Sequence, residues 1–123
     1  MLAAVLAMEP RPARAITPDQ ITDIDRLAEV DVPGKTRAYA MAAHYAMLLW
    51  VEDYCSGESD ESVRRYIMAK GKGDEMQFEA GWGEAMAMLT ASNAPAMCAL
   101  AEQQYGPDGA LIRNGWRKKS ATR

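Results

Sequence analysis

The chain is short of the residues that most often build metal and catalytic centres. His44 is the only histidine among 123 residues. That excludes any site needing two imidazoles, the paired-histidine zinc helices included. Two cysteines, Cys55 and Cys98, cannot make a four-thiolate zinc site. They are also too far apart for the CxxC of a thiol redox centre. Basic residues are outnumbered, with 14 Lys and Arg against 17 Asp and Glu and a formal net charge of −3. A chain without basic excess is not expected to take nucleic acid as its partner. No apolar run approaches the ~20 residues that cross a bilayer. The longest candidate, residues 38–51, contains His44 and two tyrosines and leads directly into Glu52 and Asp53. No transmembrane segment is therefore expected in the mature chain. Alternating strand patterns, hairpin turns and internal repeats are missing too.

What is present begins with a processing signal. Leu2 to Met8 form an apolar run, and Ala13-Arg14-Ala15 gives the small-x-small pattern of a cleavage site just before Ile16. No Lys or Arg precedes the run, which a start placed too far downstream would explain. The alternative is a plain N-terminal arm. The expected organisation is a signal peptide over 1–15, a helical domain over 16–109 and a basic C-terminal tail over 110–123, in a periplasmic or secreted protein.

Helical signals fill the rest. Thr17-Pro18-Asp19-Gln20 combines a cap, a first-turn proline and a capping-box glutamine. Ile21, Ile24, Leu27 and Ala28 follow on one stripe, and Pro33-Gly34 is expected to end this helix. A second helix over about Thr36 to Cys55 is apolar most of the way round, which marks a central element. A third is expected over about Asp60 to Lys70. A fourth, over about Asp74 to Thr90, places Phe78, Trp82, Ala85, Met86 and Leu89 at the spacing of a buried face. Asn93 and Pro95 open a fifth, with Met97, Cys98, Ala101 and Tyr105 on one side. The predicted fold is all-α: a compact bundle of four to five helices with one disulfide and no β-sheet.

Two cysteines in an exported chain are expected to pair, so Cys55–Cys98 is the expected disulfide; two buried free thiols are the alternative. The segment Ala96-Met97-Cys98-Ala99-Leu100-Ala101-Glu102, followed by Tyr105-Gly106-Pro107-Asp108-Gly109, resembles small, largely uncharacterised exported helical proteins of Gram-negative bacteria. Those carry a signal peptide and two cysteines about 40 residues apart. The resemblance spans about residues 54–112. It implies export and a Cys55–Cys98 pair, and no activity.

Few constellations carry chemistry. Met41, His44 and Met47 follow M-x-x-H-x-x-M on the second helix, and thioether and imidazole suit Cu(I). The competing account is core methionine packing around a histidine bonded to a neighbour. Cys98 with His44 could form a thiol–imidazole pair only if the thiol were free. Asp19, Asp23 and Asp25 lack the spacing of a calcium loop and are expected to be solvated. Charge is uneven, since residues 16–109 hold 16 acids and 7 Lys or Arg, whereas 110–123 hold five basic residues and no acid. Arg113, Arg117, Lys118 and Lys119, with Trp116 among them, are candidates for an acidic partner or a membrane interface; a solvated tail, or one folded back on the acidic body, is the alternative. The functional expectation is a non-catalytic module that binds another protein, with no cofactor. A copper-binding protein using Met41, His44 and Met47 is the alternative.

Overall fold

A computed structural model describes residues 15–29 and 33–119. Apart from Ala15, the expected signal peptide lies outside the described residues, as do residues 120–123 of the basic tail. The elements in chain order are α1 (Pro18–Leu27), α2 (Arg37–Tyr54), β1 (Gly57–Ser59), α3 (Glu61–Lys70), α4 (Glu75–Ala91), α5 (Ala94–Tyr105) and β2 (Trp116–Lys118).

Local chemistry sets the helix starts. At α1 the Thr17 hydroxyl accepts from the Gln20 amide at 3.1 Å, and the Gln20 side chain accepts from the Thr17 amide at 3.0 Å. Asp60, Asp74 and Asn93 accept from the first-turn amides of α3, α4 and α5. Each such cap satisfies backbone donors that the helix itself leaves unpaired. α2 has no side-chain cap of its own. Gln77 of α4 takes the Thr36 amide instead, at 3.3 Å. α1 stops at Leu27, ahead of the expected Pro33-Gly34.

α2 is the centre of the bundle, with Met41, Ala42, Ala46, Leu48 and Val51 fully buried. The start of α2 meets the end of α3, where Arg37 donates to the Lys70 carbonyl at 2.8 Å. α3 therefore runs antiparallel to α2. α4 runs parallel to it, because Thr36 meets Gln77 and, one turn on, Tyr39 meets Gly81. α5 returns antiparallel, joined to α2 by Cys55–Cys98 at one end and by His44 and Tyr105 further along. α1 packs on α3, where Asp25 accepts from Tyr66 at 2.8 Å and pairs with Lys70 at 3.0 Å.

Two glycines of α4 differ in role. A Cβ at Gly81 would collide with the Tyr39 backbone, whereas at Gly83 it would meet nothing within 4 Å. Gly81→Val is therefore expected to destabilise by about 2 kcal/mol or more, since the helices must separate. Gly83→Ala is expected to stabilise by about 0.5–1 kcal/mol through helix propensity alone. Urea unfolding of the two variants checks both.

The expectation of no β-sheet needs correction. β1 and β2 pair antiparallel, with Gly57 opposite Lys118, Glu58 opposite Arg117 and Ser59 opposite Trp116. Three-residue strands have no period to read. Their pairing depends on tertiary packing, because the Trp116 ring lies against Gly57 where a Cβ would otherwise be.

The boundary expected at 109/110 is not structural either. Ile112 is fully buried and Trp116 nearly so. Leu111 and Ile112 donate backbone hydrogen bonds to Gln104, and Gly115 donates to Tyr105. Residues 110–119 thus complete the body rather than trail from it.

Candidate functional site

The disulfide is formed. Cys55, just after α2, and Cys98, in the second turn of α5, have Cα atoms 5.6 Å apart. Both sulfurs are committed, so Cys98 offers no thiolate to His44.

Met41, His44 and Met47 point into packing. Met41 is fully buried and Met47 nearly so, and both belong to the hydrophobic core. Met41 lies at the turn where Gly71 and Phe78 come together. His44 Nδ1 lies 2.6 Å from the Tyr105 hydroxyl, with the rings in an edge-on arrangement. The hydroxyl donates to a bare nitrogen in one imidazole tautomer, and the ring N–H donates to the hydroxyl oxygen in the other. Among the described residues no three His, Cys, Asp or Glu side chains gather as metal ligands.

Burial sets the protonation of this pair. It lowers the His44 pKa to about 4 and pushes the Tyr105 phenol well above its usual range. The unfolded histidine takes a proton near pH 6.5 and the folded one only near 4. The unfolded state thus binds more protons between these values. Stability is complete above pH 6.5 and declines as pH falls toward 4. By pH 5 the loss is expected to reach about 2 kcal/mol. Urea midpoints at the two ends of this window, compared with a His44→Asn variant lacking the slope, measure it.

The charged candidates of the C-terminal segment divide into two groups. Arg113 is pinned to α1 although its side chain is 47% exposed: its guanidinium meets both Asp23 oxygens at 3.1 Å, and its amide donates to Asp23 as well. Asp19 pairs with it at 3.4 Å. Asp23 is only 4% exposed, not solvated as its helix position alone predicts. Burial by itself would raise the Asp23 carboxyl, but the hydrogen bonds from Arg113 overcome this and hold it below its ordinary value. Gln20, also buried, donates to the Arg113 and Asn114 carbonyls and completes a clasp between α1 and the segment before β2. Trp116 is buried and donates its indole N–H to the Ala101 carbonyl at 3.0 Å. It is not placed at any surface that could meet a membrane. Arg117 pairs with Glu58 across the sheet at 3.0 Å. Lys118 and Lys119 are exposed.

A cavity of about 230 Å³ opens between α2 and α3, lined by Tyr45, Met68, Ala69, Glu61 and the cations Arg64, Arg65 and Lys72. Its charge is largely answered from within, as Glu61 holds Arg65 at 2.7 Å and Glu52 faces Arg64 at 3.9 Å.

The least expected surface is the outside of α4. Its inner side is the predicted one, with Gly81, Ala85 and Leu89 buried and Phe78, Trp82 and Met86 partly so. The opposite side is apolar as well: Ala80, Gly83, Ala87 and Ala91 are exposed and Met76 is 83% exposed, while Met88, 59% exposed, lies on the flank between the two sides. A helix apolar on two sides has a second face to cover. The sequence carried this signal in Met76, Ala80, Gly83, Ala87 and Ala91, which recur at helical spacing. Reading for the core alone passes over it.

Comparison with known protein families, with characterised proteins and with solved structures returns no match.

Proposed function

We propose that this is an exported, non-catalytic module that binds another protein and is braced by Cys55–Cys98. One observation carries the reading: α4 turns exposed methionines and small residues outward along its length. Exposed apolar surface of this kind is what interaction sites present. Methionine also suits such a face, since its flexible thioether adapts to a partner's contour. The disulfide favours an oxidising compartment, periplasmic or secreted. No helix among the described residues is long and apolar enough to cross a membrane.

The test is site-specific photocrosslinking in the native host, with the reactive residue at Met76 or Met88 and, as a control, at exposed Arg65 on α3. Protein adducts confined to the two α4 positions are expected. Equal adducts at all three positions, or none, overturn the reading. Intact mass with and without reductant and alkylation tests export. A chain beginning at Ile16 with both thiols protected is expected, and one retaining Met1 with two reactive thiols refutes it.

A further inference from the structure

We infer that the outer face of α4 docks a cationic amphipathic helix of a partner protein, a proposal that rests on the protein-binding reading above and names the partner's chemistry. The face has the form of a helix seat. α4 has 17 residues, about 25 Å at the helical rise. Ala80, Gly83, Ala87 and Ala91 give its centre a low profile, so a second helix can approach closely. Met76 is longer and stands at its N-terminal end, whereas Met88 is exposed on the flank beyond Glu84.

Charge selects the occupant. Between Lys72 and Arg113 the chain has no Lys, Arg or His and six acids. Three of these acids flank the face. Glu75 and Glu79 lie on one edge, exposed and without an ion pair among the described residues, and Glu84 lies on the other. Glu84 accepts from the Tyr39 hydroxyl, which Lys35 also approaches at 3.3 Å. The Glu75–Glu79 edge is therefore the one free to attract a cation. A second copy would bring like carboxylates together, and an anionic membrane would be repelled. A helix with an apolar stripe and Lys or Arg beside it satisfies both features.

The probe is a labelled amphipathic peptide of leucine and lysine, about 18 residues long to match the seat. It is titrated by anisotropy into the full, oxidised chain at about 150 mM salt, where weak surface attraction is screened. The same peptide with glutamate for lysine is the comparison. Binding of the lysine peptide is expected, weakened at least about tenfold by Glu75→Lys/Glu79→Lys and by Gly83→Gln. Gly83→Gln adds bulk to the seat without touching its own fold, because the space beyond Gly83 is open. Arg65→Gln, on α3, should change nothing.

Equal or tighter binding of the glutamate peptide overturns the charge assignment while leaving α4 as a binding face. Indifference to Gly83→Gln, or no binding up to about 1 mM, overturns the seat itself; crosslinks at Met76 and Met88 would then still stand for a partner of other chemistry. Self-association that Gly83→Gln abolishes would make the occupant a second copy. Anionic vesicles bound through this face would make it a membrane. Either result refutes the proposal.

Discussion

Removing the Cys55–Cys98 bond is expected to lower stability by about 4 kcal/mol, on the loop-closure estimate for a ring of this size. The two cysteines are 43 positions apart in sequence, and the ring encloses β1, α3 and α4. Unfolding the oxidised chain leaves that ring closed, so the denatured state keeps less freedom than it otherwise would. The native state loses little when the bond is cut, because Cys55, just after α2, and Cys98, within α5, are already held by packing. The effect is large against the ~5–15 kcal/mol that holds a domain of this kind. For a slope of about 1–2 kcal/mol/M, the urea midpoint of a Cys55→Ala/Cys98→Ala variant falls by about 2–4 M. Reductant should do the same to the native chain and nothing further to the variant. An unchanged midpoint in both experiments would mean that the thiols are not joined in the folded protein. The proposed oxidising compartment would lose its main support with it.

The features legible in the sequence were those that one stretch of chain decides alone. Thr17 with Gln20, Asp60, Asp74 and Asn93 announce helix starts because a cap acts within three residues. The inner faces of α4 and α5 follow from spacing, whereas α2, apolar most of the way round, reads only as a central element. What sequence reading missed requires two distant stretches to meet. Asp23 looks like a surface carboxylate until Arg113, 90 positions away, covers it. His44 has a polar neighbour only once α5 brings Tyr105 alongside, 61 positions on. β1 and β2 are each too short to carry a pattern, and each exists because the other does. The charge count of the last fourteen residues was accurate but misleading about place. It described a basic tail, whereas the apolar residues among those charges, Ile112 and Trp116, anchor the segment to the body. The outer stripe of α4 was visible letter by letter, but its meaning depends on knowing that α2 already occupies the other side.

Trp116→Ala is the second substitution with a large expected effect, a loss of about 3–5 kcal/mol by truncation of a buried tryptophan. The ring is 3% exposed and fills the space left by the missing side chain of Gly57. Its N–H holds the Ala101 carbonyl of α5, and its backbone belongs to β2 opposite Ser59. One side chain therefore joins α5, β1 and the C-terminal segment, and its loss opens a cavity that a two-stranded sheet cannot close. Trp116→Phe keeps most of the apolar volume and gives up only the indole hydrogen bond, so about 1 kcal/mol of additional loss is expected from that bond. Lys118→Ala and Lys119→Ala, exposed beside it, should stay within about 0.5 kcal/mol of the parent. This ordering separates anchoring from surface attraction. If Trp116 served a membrane interface, its removal would spare the unfolding midpoint and abolish vesicle binding. If it anchors the segment, the midpoint falls and Ile112 and Arg113 loosen with it, so amide exchange rises through residues 112–118 and at Asp60, whose amide donates to the Gly115 carbonyl.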